Sequence, residues 1–112
     1  MVDIRECLLQ ARVEQVALEA WIKAGWVTPR VDEAGQRFTE IDIARVCLIR
    51  DLRDDVGVNE DGIPVVLDLL DQIHGLRLAL RRMASAIDGL PGTAREEAVA
   101  VLRGLTAGRP AR

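Results

Sequence analysis

The chain has 112 residues and 12.3 kDa, a length that suits one domain with a tail rather than two full cores. Hydrophobic residues make up 49% and charged residues 29%, a globular rather than disordered composition, and no apolar run approaches the roughly 20 residues needed to span a bilayer. Fifteen Lys+Arg against 18 Asp+Glu leave a net charge of −3 and a pI near 5.1, a poor start for a stand-alone nucleic-acid binder because phosphate neutralisation supplies most non-specific affinity.

The first residues, Met1-Val2-Asp3-Ile4-Arg5-Glu6, carry acids where a signal peptide has a basic start, so a cytoplasmic location is expected. Asp3 followed by Glu6 has the form of a capped helix start, and Ile4, Cys7, Leu8 and Ala11 repeat at helical spacing to about residue 10 or 11. Val16, Leu18, Trp21 and Ile22 mark a second helix, taken from Val13 to Ala24 and closed by Gly25. Two short helices joined by a few residues predict a helix-turn-helix. The stretches 26–31 and 36–38, on either side of Asp32-Glu33-Ala34-Gly35, then predict a small hairpin, with Pro29 suited to an edge.

Thr39 with Asp42 caps a third helix, Phe38 can staple to Ile43, and the pattern Ile43, Val46, Cys47, Ile49 runs to about Asp55 before Gly57. Asn59 caps a fourth helix, with Val58 and Ile63 as another staple and Pro64 in its first turns. In it Val66, Leu69, Ile73, Leu76, Leu80, Met83 and Ile87 step by 3, 4, 3, 4, 3, 4, a coiled-coil type of seam. Gly75 costs about 1 kcal/mol relative to Ala there, too little to break the helix. From residue 60 to 87 this helix would run about 42 Å at 1.5 Å per residue, more than the preceding 59 residues can cover, so a homodimer through this seam is expected. Asp88-Gly89-Leu90-Pro91-Gly92 breaks the pattern, and Thr93 to Leu105 predicts a short helix able to fold back on part of the seam, followed by a frayed tail. The expected organisation is therefore a mainly α chain: residues 1–58 a winged helix-turn-helix, 59–87 a long dimerisation helix, and 88–112 a short helix and tail.

Cys7 and Cys47 lie forty residues apart with no CxxC, and His74 is the single histidine, so neither a metal site nor a cofactor is expected and the cysteines read as small buried apolar residues. No residue pairs with His74 in a catalytic constellation, and no glycine-rich phosphate loop follows a strand, so the chain does not read as an enzyme.

The order of these elements resembles the MerR-like winged helix-turn-helix. More closely, Gly25-Trp26-Val27-Thr28-Pro29-Arg30, Phe38, Leu52-Arg53-Asp54-Asp55, Gly62-Ile63 and the run from Val65 to Ile73 resemble the CbpM family, over roughly residues 3–87. That resemblance implies a chaperone modulator which binds the J-domain of a CbpA/DnaJ-like co-chaperone, by a basic surface on the J-domain's second helix, and hinders its stimulation of a DnaK-type chaperone. The alternative is a MerR-type transcriptional regulator that binds DNA.

Charge bears on the choice. A DNA-reading second helix needs Arg, Lys, Ser, Thr or Asn toward the groove, whereas this one offers Glu14, Gln15, Glu19 and Lys23. An acid at its start favours the helix but repels phosphate. Arg45, Arg50 and Arg53 on the third helix are the best argument for DNA. Against them, Asp51, Asp54, Asp55, Glu60, Asp61, Asp68 and Asp71 gather in one stretch with Arg53 as the single base. A solvated helix face explains any one of these acids, but together they would steer docking of a basic helix, with Trp26 as an interface anchor.

Overall fold

The computed structural model describes residues 1–107 and divides into two compact units, Met1–Leu69 and Leu70–Arg112. In the first unit, Asp3 accepts a hydrogen bond from the Glu6 N–H at 2.9 Å and starts helix α1, Ile4–Ala11. Arg12 ends it in the left-handed conformation (φ 56°) and returns its N–H to the Leu8 carbonyl. Helix α2 is Gln15–Lys23, shorter than expected at both ends. Val13 is buried in the turn before it, whereas Val16, one of the apolar residues that mark this helix in the sequence, is 80% exposed. The core face of α2 is set by Leu18 and Trp21, which lie three apart, and Val16 falls off that stripe. Gly25 stops the helix at φ 81°, a conformation that strains any residue bearing a Cβ.

The hairpin is present, but its strands are shorter than read: β1 Arg30–Asp32 pairs antiparallel with β2 Gly35–Arg37, Val31 opposite Gln36. Trp26–Pro29 stays outside the ladder, since Val27 is buried against the core and Pro29 has no N–H to give. Phe38 leaves the hairpin too and exchanges two backbone hydrogen bonds with Val2, at 2.8 and 2.9 Å. This holds the chain's second residue beside the wing, a contact no local pattern announces.

Helix α3, Glu40–Asp51, opens with a complete capping box: the Asp42 N–H donates to Thr39 Oγ1 at 3.1 Å and the Thr39 N–H donates to Asp42 Oδ2 at 2.9 Å. The α-helix does not run to Asp55. From Leu52 to Val56 it widens into a π-helical turn, closed by Gly57 at φ 76°. Asn59 Oδ1 accepts from the Gly62 N–H at 2.8 Å, and helix α4 follows as Gly62–Asp88. Its start is later than expected because residues 60 and 61 form the turn that the Asn59 side chain closes.

Cys7, Ala11, Val13, Leu18, Trp21, Val27, Phe38, Val46, Ile49, Ile63 and Leu67 form one continuous core. Helices α1, α2 and α3 and the segments between them contribute to it, while the two wing strands and the π-helical turn do not, and Ile63 and Leu67 anchor the first turns of α4. Burial pushes the Cys7 thiol up to about 11, with the neighbouring Cys47 and Asp42 adding to the shift, so Cys7 is the inert apolar residue its sequence context suggests.

In the second unit, the rest of α4 leads through a turn into helix α5, Gly92–Ala107, slightly longer than expected. The expected tail beyond residue 107 lies outside the described residues. Arg95 and Asp88 form an exposed ion pair at 3.4 Å, a contact of little energetic weight. No side chain from residue 70 to 105 is buried. Back-folding of α5 therefore does not hide the seam: Leu76 is 66% exposed and Leu80 63%, while Leu102 and Leu105 on α5 are exposed as well. No helix among the described residues is long and apolar enough to cross a membrane.

Candidate partner-docking surface

The three arginines of the α3 region carried the case for contact with a phosphate backbone, and their positions decide much of the electrostatics. Arg45 donates its Nε–H to the Trp26 carbonyl. Arg50 donates to the Ala11 carbonyl, an orphan acceptor at the end of α1, and also holds Asp51 Oδ1 at 2.9 Å. Arg53 sits with its guanidinium carbon 5.2 Å from the Trp21 ring centroid, pairs with Asp54 at 2.6 Å and reaches Glu14 at 3.3 Å. All three tie the helix-turn-helix together rather than point at a ligand. Asp51 correspondingly raises the Arg50 pKa, and Asp54 followed by Glu14 raises that of Arg53.

The acidic residues therefore divide into distinct roles. Asp51 and Asp54 are partners of Arg50 and Arg53, so the field is weaker at that end than a count of one base implies. Asp55, Glu60, Asp61, Asp68 and Asp71 are all exposed. The doublets Arg50-Asp51 and Arg53-Asp54 were the signal available in the sequence for this neutralisation. Trp26 is half-buried and lines, with Trp21, Arg53, Val58, Glu60 and Ile63, a cavity of about 210 Å3 beside the π-helical turn. The sequence offers Arg53 only as a phosphate contact and Val58 and Ile63 only as a staple, because it is the π-helical turn and the loop after it that bring them beside the two tryptophans.

On the opposite account, the outward face of α2 carries Gln15, Glu19, Ala20 and Lys23, all exposed, with Gln15 bonded to Glu19 at 2.9 Å. In the wing, Arg37 is spent on Asp32 at 3.2 Å, and Arg30 is exposed. Among the seam residues Val66 and Ile87 are half-buried and Leu69, Ile73, Leu76, Leu80 and Met83 are exposed. His74 is exposed on α4, and no group of His, Cys, Asp and Glu among the described residues could hold a metal ion.

The Arg53 bridge makes stability depend on acid. Arg53 holds the Asp54 carboxyl below its ordinary range, and Glu14 is lowered by its own backbone N–H and then by Arg53. Groups lowered in the folded state contribute stability above their unfolded values, about 4, and lose it as pH falls through the folded ones. Arg53→Ala is therefore expected to lower the melting temperature at pH 7, with a gap to the parent that narrows as pH is taken progressively below about 4. A gap that does not narrow would show that the charges of Glu14 and Asp54 are not what Arg53 contributes.

Comparison with known proteins gives a consistent frame. A family model described as MerR HTH family regulatory protein matches residues 2–85. A Streptomyces coelicolor protein that carries the name heat shock protein HspR is 29% identical over 85 residues, 75% of this chain and 56% of that protein. The chain thus matches little more than half the length of this relative, and no solved structure matches. Neither finding speaks to the narrower likeness to CbpM. With two helices, a two-stranded wing and a capped third helix inside the matched span, the chain belongs to the MerR helix-turn-helix family of regulatory proteins.

Proposed function

We propose that this MerR-family protein is a cytoplasmic, non-enzymatic regulator that docks on another protein: the J-domain of a CbpA/DnaJ-like co-chaperone, whose stimulation of a DnaK-type chaperone it hinders. The observation that carries this reading is the distribution of charge. Arg45, Arg50 and Arg53 are engaged within the fold, while Glu60 lines a cavity that contains both tryptophans and Asp55 and Asp61, close to it in the chain, are exposed. Acids around an apolar centre suit a basic helix and repel phosphate.

A second reading has its own support. Membership of the MerR family and the likeness to HspR speak more directly for a DNA-binding regulator than for a chaperone modulator. In that reading α2 and the wing face the duplex, with Arg12, Lys23 and Arg30 as the exposed cations.

In either reading the protein works as a homodimer through residues 59–87, with Val66, Leu69, Ile73, Leu76, Leu80, Met83 and Ile87 at the interface. An apolar row this long is costly to leave in water, and an isolated helix gains most of its stability from packing. One experiment separates the two partners: capture by an immobilised J-domain from a DnaJ-like protein beside a gel shift with duplex DNA, both at physiological salt. J-domain capture without a shift is expected. A shift without capture reverses the assignment.

A further inference from the structure

The cavity beside the π-helical turn has features that a solvated charged surface does not require. Its base is Trp21, 6% exposed, with Ile63 at 3% beside it, and Val58 and the half-buried Trp26 complete the apolar part. Each wall is pinned. The Trp26 N–H donates to the Trp21 carbonyl at 2.9 Å, and the Trp26 carbonyl accepts from Arg45. The Val58 N–H donates to the Leu52 carbonyl at 2.8 Å across the π-helical turn, and Asn59 closes the next turn on Gly62. Arg53 is held over Trp21 by Asp54 and Glu14, so its charge is answered from within the chain and it serves as a wall. Glu60 differs. It is exposed at the mouth and forms no ion pair among the described residues, with Asp61 exposed next to it. π-Helical turns are rare and recur at functional sites.

Resting on the protein-partner reading above, we propose that this cavity is the anchor socket of the docking surface: it takes one apolar side chain from a basic partner helix, while Glu60 pairs with a lysine or arginine one turn away on that helix. A preformed pocket lined by Trp and Arg is the kind of place where interface energy concentrates, because pinned walls need little further ordering on binding. The cation at the mouth sets orientation and the rate of encounter more than strength. Trp21 and Trp26 are the two tryptophans of the chain, and both lie in the socket, so its occupancy is directly visible in fluorescence.

The test uses the full chain and a J-domain that contains no tryptophan, with binding measured by calorimetry and occupancy by tryptophan emission. The parent is expected to bind with a shift in emission. Trp26→Ala should weaken binding about tenfold or more, the range of a hot-spot truncation. Glu60→Lys, at an exposed position where folding is not at stake, should also weaken it and lower the on-rate, while Glu60→Gln should flatten the salt dependence with a smaller loss. Calorimetric binding with unchanged emission and unchanged affinity in Trp26→Ala and Glu60→Lys overturns the socket and leaves the J-domain assignment standing. No heat with the J-domain, or an emission change with duplex DNA instead, overturns both.

Discussion

Alanine in place of Phe38 is expected to cost about 3–5 kcal/mol of folding stability, read from urea unfolding followed by circular dichroism. Phe38 is fully buried and the largest such side chain in the core. It also stands where three local structures meet: the end of the wing, the bridge to Val2, and the residue before the Thr39 cap of α3. The backbone bonds of the bridge survive the substitution, so the loss is one of packing and of the cavity left behind. Small domains have only about 5–15 kcal/mol in total, so a large part of the folded population is at stake. A change below about 1 kcal/mol would show that the surrounding helices close over the space, which the rigid density of protein cores argues against.

A double substitution, Leu76→Glu with Leu80→Glu, is expected to turn the proposed dimer into a monomer in sedimentation equilibrium. Two carboxylates per copy would be enclosed at adjacent seam positions, where an unpaired charge is strongly unfavourable. Both side chains are exposed in the single chain, and neither is a member of the core formed by residues 7–67. Thermal unfolding of that core should therefore change only through the lost association, and a parent diluted to its monomeric range should melt like the variant. A dimer that persists in the double variant moves the interface off the seam, and a parent that sediments as a monomer at all concentrations removes the dimer.

Much of the fold was legible because it is written in local chemistry. Asp3, Thr39 with Asp42, and Asn59 are caps whose side chains reach the backbone three residues away, and Gly25 and Gly57 sit where positive φ is required. What escaped depends on residues distant in sequence. The Val2–Phe38 bridge joins segments with no common periodicity. The inward turn of Arg45 and Arg50 toward the carbonyls of Trp26 and Ala11 cannot be seen from a helix face alone. The exposure of Val16 has a narrower cause: in a nine-residue helix an apolar residue can lie beyond the buried stripe set by Leu18 and Trp21. For the acidic stretch, composition located the acids, but only the fold separates Asp51 and Asp54, which answer an arginine, from Asp55, Glu60 and Asp61, which stand exposed.

The inward arginines also set terms for anyone redesigning this scaffold. Giving it a taste for polyanions could not be done by deleting Glu14, Asp51 and Asp54 to liberate guanidinium groups, since Arg50 and Arg53 would still be stapled to a carbonyl and an indole, and the frame would loosen as its counter-ions left. New lysines on the bare outer side of the second helix would be the cheaper route, leaving the internal rivets untouched.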